Sequence, residues 1–502
     1  MRLHPVRHAL FGLVVLAGAT ACSLALDFDN ECKGNADCKS DEVCTEHFCV
    51  PGTATEADAG ADATTEVPLV NDLCPTLYPT SVSEADVRAG KVVLLGSLEP
   101  RTGSLADTGP AVERAVFLAV DEINELGGIN GKKLAVLACD DGTSGNDLAV
   151  QAATHLTADA HVPAIVGPAA SGTTLRVFNE VTHAANVLLI SPSATSPSLT
   201  NQADDGLIWR TAPSDDLQGA AIVAWLKAQS VGKVAVINRD DTYGNSFRKV
   251  IETGLCPNGC SDESTYLTRS YDPEAPTSAQ SEAVVALTAF QPDVTVVIAY
   301  LEDGVEFLKN ATQDPGNHLD TFVLTDGMKE PPLVTSGVPN GVLSKVFGTA
   351  PASPNNPNYL IFKQSYGARN GGKLPGVFNA QAYDGTYLLA FAIAALPTDT
   401  AVTGAAINTQ LKRLSSGPKI NVGTQDFLNG VNLLRGEAEA TIDFDGASGS
   451  LNFDGATGEA PADIEGWRVD VPTQRIVSIG TIYTADGRYI PPPQPSAPPS
   501  GT

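Results

Sequence analysis

Short apolar runs alternate with longer amphipathic segments over most of the chain. The runs have the length of strands, and several, such as VTVVIAY, are rich in β-branched residues, as strands buried on both faces are. The longer segments repeat apolar residues at helical spacing. We predict strands over residues 91–98, 132–141, 162–166, 186–190, 233–241, 293–300 and 321–326, and helices over residues 110–126, 147–158, 172–184, 215–229 and 244–254.

Strands that alternate with helices predict parallel sheets with right-handed crossover connections, and these units are too many for one small sheet. We therefore expect an α/β fold of two lobes. Two consecutive strands of the first lobe end in hydroxyl-rich turns, at Ser171 and at residues 193–195. Ligands of open α/β sheets bind outside the carboxyl ends of the strands, where hydroxyls and backbone N–H groups suit a carboxylate. The alternative is that these residues only cap helices.

The beginning of the chain has the layout of an export signal. Arg2 and Arg7 precede an apolar run over residues 9–19, which is too short for a lasting membrane span. The stretch LAGATAC, which ends at Cys22, also resembles a bacterial lipobox, in which the cysteine is lipidated and becomes the first mature residue. We expect a signal peptide over residues 1–21 and a lipid anchor on Cys22. Ordinary cleavage of the signal is the alternative.

The eight cysteines that follow the expected anchor are an even number in an exported chain, which favours disulfides. The lipid-anchored segment over residues 22–50 has too few bulky apolar residues for a core and contains Cys32, Cys38, Cys44 and Cys49. We expect two disulfides there. A zinc site of four thiolates is the alternative, although no Cys-x2-Cys pair is present.

The other cysteines predict two further disulfides. Cys256 and Cys260 bracket a Pro-Asn-Gly turn and should pair with each other. Cys74 and Cys139 then form a pair by elimination.

Composition limits the partners and the chemistry. The formal net charge of -27 argues against nucleic-acid binding by the main body. Residues 51–89 begin with small, acidic and threonine residues, so we expect a flexible linker and an N-terminal extension there, and residues 491–502 form a proline-rich tail. The histidines are scattered and no catalytic motif is present, so we expect neither catalysis nor a cofactor or metal.

Nine stretches, in order over residues 91–490, resemble the leucine/isoleucine/valine-binding branch of the type I periplasmic binding proteins. They are GSLEPRTGSLADTG, AVDEINELGGINGKKL, CDDGTSGNDLAV, AIVGPAASGTT, LLISPSATSPSLT, WRTAPSDDLQG, VAVINRDDTYGNSF, QAYDGTYLLAFAIA and FDGATG. The resemblance implies two Rossmann-like lobes joined by three crossovers, with a ligand cleft between them. It implies lobe 1 over residues 90–213 and 351–455, and lobe 2 over residues 214–350 and 456–490.

The resemblance also assigns first-lobe residues to the ligand. Ser171 matches the serine whose hydroxyl and N–H hold the α-carboxylate of an amino acid, and Thr195 matches a threonine that shares this task. The backbone carbonyl of Ser193 would meet the α-ammonium group, and Ala194 lies in the same turn.

In the second lobe, Asp326 stands where the family has a glutamate that pairs with the ammonium group, and capping of a turn is the alternative. Tyr300 and Tyr383 match aromatic residues that line the cleft, and packing inside a core is the alternative for both. Tyr243 is a further second-lobe neighbour. Thr108 stands where amino-acid binders often carry an aromatic residue, which leaves the ligand side chain open.

The resemblance implies an extracytoplasmic protein that captures an amino acid or related small metabolite and delivers it to an ABC permease. It would lie on the periplasmic or cell-surface face of a bacterial membrane as a lipoprotein. Ser23, next to the expected anchor, resembles the pattern for sorting to the outer membrane. The alternative is a sensory or structural module that uses the same fold without transport.

Overall fold

The computed structural model describes residues 38, 42–45, 48–51, 66–143, 147–313, 321–354, 356–437 and 439–492. The chain divides into two compact units, Met1–Val67 and Pro68–Thr502. The expected signal peptide and the lipidation site at Cys22 lie outside the described residues, as does the tail from residue 493 onwards.

In the first unit, strand β1 (Glu42–Thr45) pairs antiparallel with β2 (Phe48–Pro51), and the backbone of Cys44 lies opposite that of Cys49. Cys38 is disulfide-bonded. Cys32 and the side chains of the strand cysteines lie outside the described part, so the pairing within this segment stays a prediction.

The second unit contains the remaining elements. Its strands are β3 (Thr76–Tyr78), β4 (Val92–Glu99), β5 (Lys133–Asp140), β6 (Ala164–Val166), β7 (Leu188–Ser191), β8 (Ile208–Arg210), β9 (Val234–Arg239), β10 (Tyr266–Tyr271), β11 (Val294–Ile298), β12 (Phe322–Leu324), β13 (Val346–Pro351), β14 (Lys419–Asn421), β15 (Asp443–Asp445), β16 (Ile464–Asp470) and β17 (Arg475–Tyr483). Its helices are α1 (Glu84–Arg88), α2 (Gly109–Glu125), α3 (Leu148–Thr154), α4 (Ser171–Val177), α5 (His183–Ala185), α6 (Asp215–Ala228), α7 (Thr242–Leu255), α8 (Pro276–Phe290), α9 (Leu301–Gln313), α10 (Asn340–Leu343), α11 (Pro357–Arg369), α12 (Asn379–Ala395), α13 (Gly404–Leu411) and α14 (Thr424–Gly436).

Lobe 1 is built on a six-stranded sheet in the order β3-β5-β4-β6-β7-β8, parallel except for β3. Helix α12 packs between this sheet and helices α2, α13 and α14, and every one of its residues is buried. This position explains the long apolar stretch YLLAFAIAAL as the centre of a core. No helix in the described part of the chain is long and apolar enough to cross a membrane.

Lobe 2 is built on a seven-stranded sheet in the order β10-β9-β11-β12-β13-β16-β17, in which β16 and β17 are antiparallel to their neighbours and the other pairs are parallel. The chain passes between the lobes three times, after β8, after β13 and before β16. The expected architecture of two α/β lobes with three crossovers is therefore confirmed.

Two expected boundaries differ from the structure. Leu69 and Cys74 are buried in the lobe 1 core and β3 pairs with β5, so the extension belongs to lobe 1 from about residue 68 onwards. At the third crossover, Ala460 still packs in the lobe 1 core and Ile464 is the first residue of β16, so the return to lobe 2 comes later than residue 456.

Two of the expected disulfides are confirmed. Cys74 bonds to Cys139 and thereby ties the extension to the end of β5, and Cys256 bonds to Cys260. The first pairing had followed only by elimination.

Asp384, in the first turns of α12, organises the glycine-rich stretch that follows β15. Its buried carboxylate accepts hydrogen bonds from the N–H of Ala447 at 2.8 Å, the N–H of Ser448 at 2.7 Å and the Ser448 hydroxyl at 2.5 Å. A Cβ atom on Gly446 would lie 2.3 Å from this carboxylate, so the turn requires glycine at that position. The stretch is therefore a structural turn held from inside the lobe.

Loss of the Cys74–Cys139 disulfide should lower the free energy of unfolding more than loss of Cys256–Cys260. The bonded residues are 65 and 4 positions apart, respectively. The entropy of loop closure gives about 4 kcal/mol for the long loop and about 2 kcal/mol for the short one. Urea denaturation of the Cys74→Ser/Cys139→Ser protein, with the Cys256→Ser/Cys260→Ser protein as its control, measures the difference. Equal losses would contradict this reasoning.

Candidate ligand-binding site

The first wall of the cleft is formed at the start of helix α4. Ser171 is the first residue of this helix, and Ala170 before it is extended. Its hydroxyl is buried and accepts a hydrogen bond from the N–H of Ser196 at 3.2 Å. Because the hydroxyl acts as an acceptor in this bond, its own proton remains able to donate to a ligand oxygen.

Arg210 holds the neighbouring turn, which contains Ala194 and Thr195, from below. This buried guanidinium donates to the carbonyls of Ala194 at 3.0 Å and Ser196 at 2.8 Å, and it forms an ion pair with Glu459. The Ala194 N–H donates to the Ser191 hydroxyl at 3.0 Å. The turn is therefore fixed by a buried guanidinium and a buried hydroxyl.

The hydroxyl groups of this turn differ in their bonding. Ser193 donates its hydroxyl to the carbonyl of Ala169 at 3.0 Å. The Thr195 hydroxyl oxygen is buried and has no hydrogen-bond partner among the described residues. A buried hydroxyl without a partner is costly, and a bound ligand would remove that cost.

Asp326, Tyr243 and Tyr300 meet on the second wall, as expected. Asp326 lies two residues beyond the end of β12 and is buried. Its Oδ1 accepts from the Tyr243 hydroxyl at 2.9 Å and from Gln218 Nε2 at 3.0 Å. The ring of Tyr300 stacks on that of Tyr243 with 5.4 Å between centroids. Burial raises the pKa of the Asp326 carboxyl, while the Tyr243 and Gln218 hydrogen bonds lower it.

Asp215 joins the two walls, and the sequence reasoning missed it. It begins helix α6, and its N–H donates to the carbonyl of Thr195 at 2.8 Å. Its side chain is 0% exposed, and neither carboxyl oxygen has a hydrogen-bond partner in the described part of the chain. Burial raises its pKa well above the usual value, and the nearby Asp326 charge raises it further, while the neighbouring Thr195 hydroxyl, although outside hydrogen-bonding geometry, and the positive charge of Arg210 lower it. Two carboxyls thus lie close together without a cation that bonds to both.

Asp215 lies in the stretch WRTAPSDDLQG, where the sequence gives no sign that it differs from an ordinary acidic residue at the start of a helix. Acidic residues in the first turn of a helix are ordinarily explained by the helix dipole, and Asp216 beside it is partly exposed. Only its complete burial between the lobes distinguishes Asp215 from an acidic residue that interacts with the helix dipole.

The lobes touch each other near the site. The hydroxyls of Ser196 in lobe 1 and Ser246 in lobe 2 lie 2.7 Å apart. Thr108 of lobe 1 donates its hydroxyl to Glu330 Oε1 of lobe 2 at 3.2 Å. Burial raises the pKa of Glu330 to about 7. The two lobes are thus in contact through polar groups beside the site.

Tyr383 is not part of the cleft, so the expectation that it lines the cleft is wrong. Its side chain is 0% exposed inside lobe 1, and its hydroxyl donates to Glu122 Oε2 at 2.5 Å. Its ring packs 5.0 Å from that of Phe362 and 4.8 Å from that of Tyr387. The side chain of Tyr383 extends from α12 towards α2. Tyr383 therefore packs inside the lobe 1 core, which was the alternative to a place in the cleft.

Comparison with known families agrees with this architecture. A model of the periplasmic binding protein family matches residues 92–430 of the 502-residue chain, well over half of it. The chain belongs to the periplasmic binding protein family. Its members bind solutes and are not enzymes.

This periplasmic binding protein is similar in sequence to proteins named for amino acids. It is 35% identical over 175 residues to an amino acid binding protein of Pseudomonas aeruginosa, a match that covers 34% of this chain and 45% of that protein. It is 31% identical over 171 residues to the Leu/Ile/Val-binding protein BraC3 of Rhizobium johnstonii, over 34% of this chain and 46% of the relative. The chain thus spans about half the length of these relatives.

Solved structures show the same fold over a longer range. The leucine binding protein LivK of Thermotoga maritima has a TM-score of 0.63 at 20% identity, covering 78% of this chain and 98% of the other. The branched-chain amino acid binding protein LivJ of Streptococcus pneumoniae, solved with isoleucine, has a TM-score of 0.61 at 22% identity and covers 77% and 99%. At these identities the likeness concerns the fold.

Removal of the Asp215 charge should stabilise the ligand-free protein. Its raised pKa means that the carboxyl favours folding when protonated, and that this contribution is lost as pH rises through the folded-state pKa. We expect Asp215→Asn to raise the free energy of unfolding at pH 8 by about 1–3 kcal/mol, with a difference that shrinks towards pH 4.

Asp384→Asn is the matched control for this measurement. Asp384 is equally buried and burial raises its pKa to about 7, but its carboxylate accepts three hydrogen bonds. Its substitution should destabilise the protein. Urea denaturation between pH 4 and 8 compares the two, and a destabilised Asp215→Asn protein at pH 8 would show that Asp215 has a structural role.

Proposed function

We propose that this periplasmic binding protein captures an amino acid between its lobes and delivers it to an ABC-type permease. The observation that carries the proposal is the buried pair of carboxyls on Asp215 and Asp326, since Asp215 has no hydrogen-bond partner within the described chain. A cation placed between them would satisfy Asp215 and lower the pKa of both groups. An α-ammonium group is a cation of suitable size with several N–H donors.

The α-carboxylate of the same ligand would bind to lobe 1. The Ser171 hydroxyl still has its proton to donate, and the Thr195 hydroxyl has no partner in the described part. Charge-assisted hydrogen bonds of this kind are among the strong ones, above all where water is excluded. The Ser193 carbonyl is a further acceptor for the ammonium group.

A ligand bound in this way would join the two lobes. Its carboxylate would contact the hydroxyls of lobe 1, and its ammonium group would contact Asp326 in lobe 2 and Asp215 at the crossover. Tyr243 and Tyr300 would enclose the ligand from the second lobe. The closed form would then be stabilised by the ligand, and a permease that recognises this form would accept ligand only from loaded protein.

The printed names of the relatives support an amino acid as the ligand class, since they are an amino acid binding protein and Leu/Ile/Val-binding proteins. Family membership supports export to the periplasm. A lipid on Cys22 would keep the protein at the membrane where a permease lies, and this part of the proposal rests on the lipobox-like LAGATAC alone.

Substitutions in the site should weaken binding in a graded way. Ser171→Ala and Thr195→Ala each remove a charge-assisted hydrogen bond of about 1.5–3 kcal/mol, which weakens binding roughly tenfold to a hundredfold. Asp326→Ala and Asp215→Ala should cost more, about 2–5 kcal/mol each, because they leave an ammonium group poorly paired.

Calorimetry with the amino acid that a thermal-shift screen selects makes this measurement. A ligand at 100 times its Kd stabilises the protein by about 2.7 kcal/mol, which such a screen detects. Tyr383→Phe is the control, because that tyrosine lies in the lobe 1 core. The affinity of the Tyr383→Phe protein for the amino acid should equal that of the wild type. Full affinity in both the Asp215→Ala and Asp326→Ala proteins would exclude an ammonium group from this position.

Cys22→Ser should release the protein from the membrane fraction of a bacterial host that lipidates its own lipoproteins. The wild type should remain with the membranes, because a diacylated and further acylated cysteine supplies the several chains that stable anchoring requires. Fractionation followed by immunoblotting measures the distribution. A soluble wild type, or a mutant that stays bound, would rule out the anchor.

A further inference from the structure

A cavity of about 230 Å³ lies between the lobes beside the proposed carboxylate position. Ala170 and Gly172, which flank Ser171, contribute to its lobe 1 wall, and Tyr300 and Thr242 contribute to its lobe 2 wall. Pockets that hold a whole small molecule usually measure roughly 300–1,000 Å³, so this volume suits one end of a ligand. Its position next to the main-chain end of the proposed amino acid makes it a site for the side chain.

Arg239, at the end of β9, lines this cavity and has one donor without a partner. The residue is 1% exposed, and its guanidinium lies 3.9 Å from the ring centre of Tyr300. Its Nε and Nη1 each contact a carboxylate at 2.8 Å, those of Asp241 and Asp303 respectively. Its Nη2 is buried and has no hydrogen-bond partner in the described residues. An acceptor on a ligand would give this Nη2 group the hydrogen-bond partner that it lacks.

Asp141, just beyond the end of β5, supplies an acceptor to the same cavity. Its buried carboxyl already receives the N–H of Thr143 at 2.8 Å and the N–H of Ala169 at 3.4 Å, one on each oxygen. A carboxylate has about four acceptor positions, so each oxygen can still receive a donor from a ligand.

The charges around the cavity do not favour an anion. Two carboxylates already oppose the one charge of Arg239, and Arg176 at the rim pairs with Asp147 and with Glu180 at 2.9 Å. A ligand carboxylate would lie next to Asp141, and the positive charges of Arg239 and Arg176 at the cavity are already paired with carboxylates of the protein. An aliphatic side chain would leave Arg239 Nη2 buried without a partner, which weakens its binding.

An amide group matches both observations. Its carbonyl oxygen accepts from Arg239 Nη2, and its NH2 group donates to Asp141. We propose that this cavity selects a ligand side chain that ends in an uncharged amide, so that the protein prefers glutamine or asparagine to aliphatic and acidic amino acids. This inference rests on the proposed function, because it takes the amino acid site as given.

Calorimetry with glutamine, asparagine, leucine and glutamate on the wild-type protein is the first test. Glutamine and glutamate have nearly the same shape and differ in charge, whereas leucine lacks the polar group. We expect one of the two amides to bind at least tenfold more tightly than leucine and than glutamate, a difference of about 1.4 kcal/mol. The reason is that leucine would leave buried polar groups unpaired and glutamate would add a negative charge beside Asp141.

The Arg239→Lys protein is the second test. Lysine keeps the positive charge and loses the planar fork, so Nη2 is removed while the carboxylates retain a cation. The preference for the amide over leucine should fall at least tenfold. Arg248→Lys is the matched control, since Arg248 pairs with Glu252 on α7 and is not part of the cavity wall, and its preference should equal that of the wild type.

Each outcome decides between the two proposals. Leucine or glutamate that binds as tightly as both amides overturns the amide inference and leaves the amino acid function in place. Failure of every amino acid in the thermal-shift screen overturns the proposed function and, with it, the inference. If Arg239→Lys does not fold by circular dichroism, the order of affinities in the wild type decides alone.

Discussion

The carboxyls of Asp215 and Asp326 lie buried between two lobes, and the bonds that reach Asp326 come from neutral groups, a tyrosine and a glutamine. Burying a carboxylate costs several kcal/mol unless a cation or enough hydrogen bonds compensate it. Asp215 accepts no hydrogen bond among the described residues, and the charge of Arg210, which also pairs with Glu459, compensates it only in part. The proposed binding of a cationic ligand group between the two carboxyls would offset this cost.

The surroundings of this pair hold it in position. Arg210 fixes the turn at residues 194–196 from below, and Asp215 is tied to that turn through its backbone N–H. Helix α6 begins at Asp215 and carries Gln218 one turn later, where its amide reaches Asp326. A single helix start thus links the hydroxyl-rich turn of lobe 1 to the acidic turn of lobe 2.

The same residue types have opposite roles elsewhere in the molecule. Asp384 is as deeply buried as Asp215, yet three hydrogen bonds satisfy it and it holds a turn. Tyr383 donates to a buried glutamate inside lobe 1, whereas Tyr243 donates to Asp326 in the cleft. Residue type and burial alone therefore do not distinguish the candidate site, and the proposal rests on unmet hydrogen-bonding capacity between the two lobes.

The sequence alone indicated seven of the strands, five of the helices and the two-lobed α/β class, because hydrophobic periodicity is a local property of a buried strand or helix. It also determined the two hydroxyl-rich strand ends and the local disulfide Cys256–Cys260, which depend on short spacings. The aspartate of the second lobe followed from resemblance. These features involve neighbours in the chain or motifs of a few residues.

Only the tertiary structure decided which of these residues meet. The isolation of Asp215, the open donor of Arg239 opposite Asp141, and the packing of Tyr383 against α2 all depend on groups that are far apart in sequence. Likewise, β3 attaches the extension to lobe 1 through a sheet edge that no local pattern reveals. Hydrogen-bond satisfaction and burial are properties of the folded environment, so they exist only once the lobes have assembled.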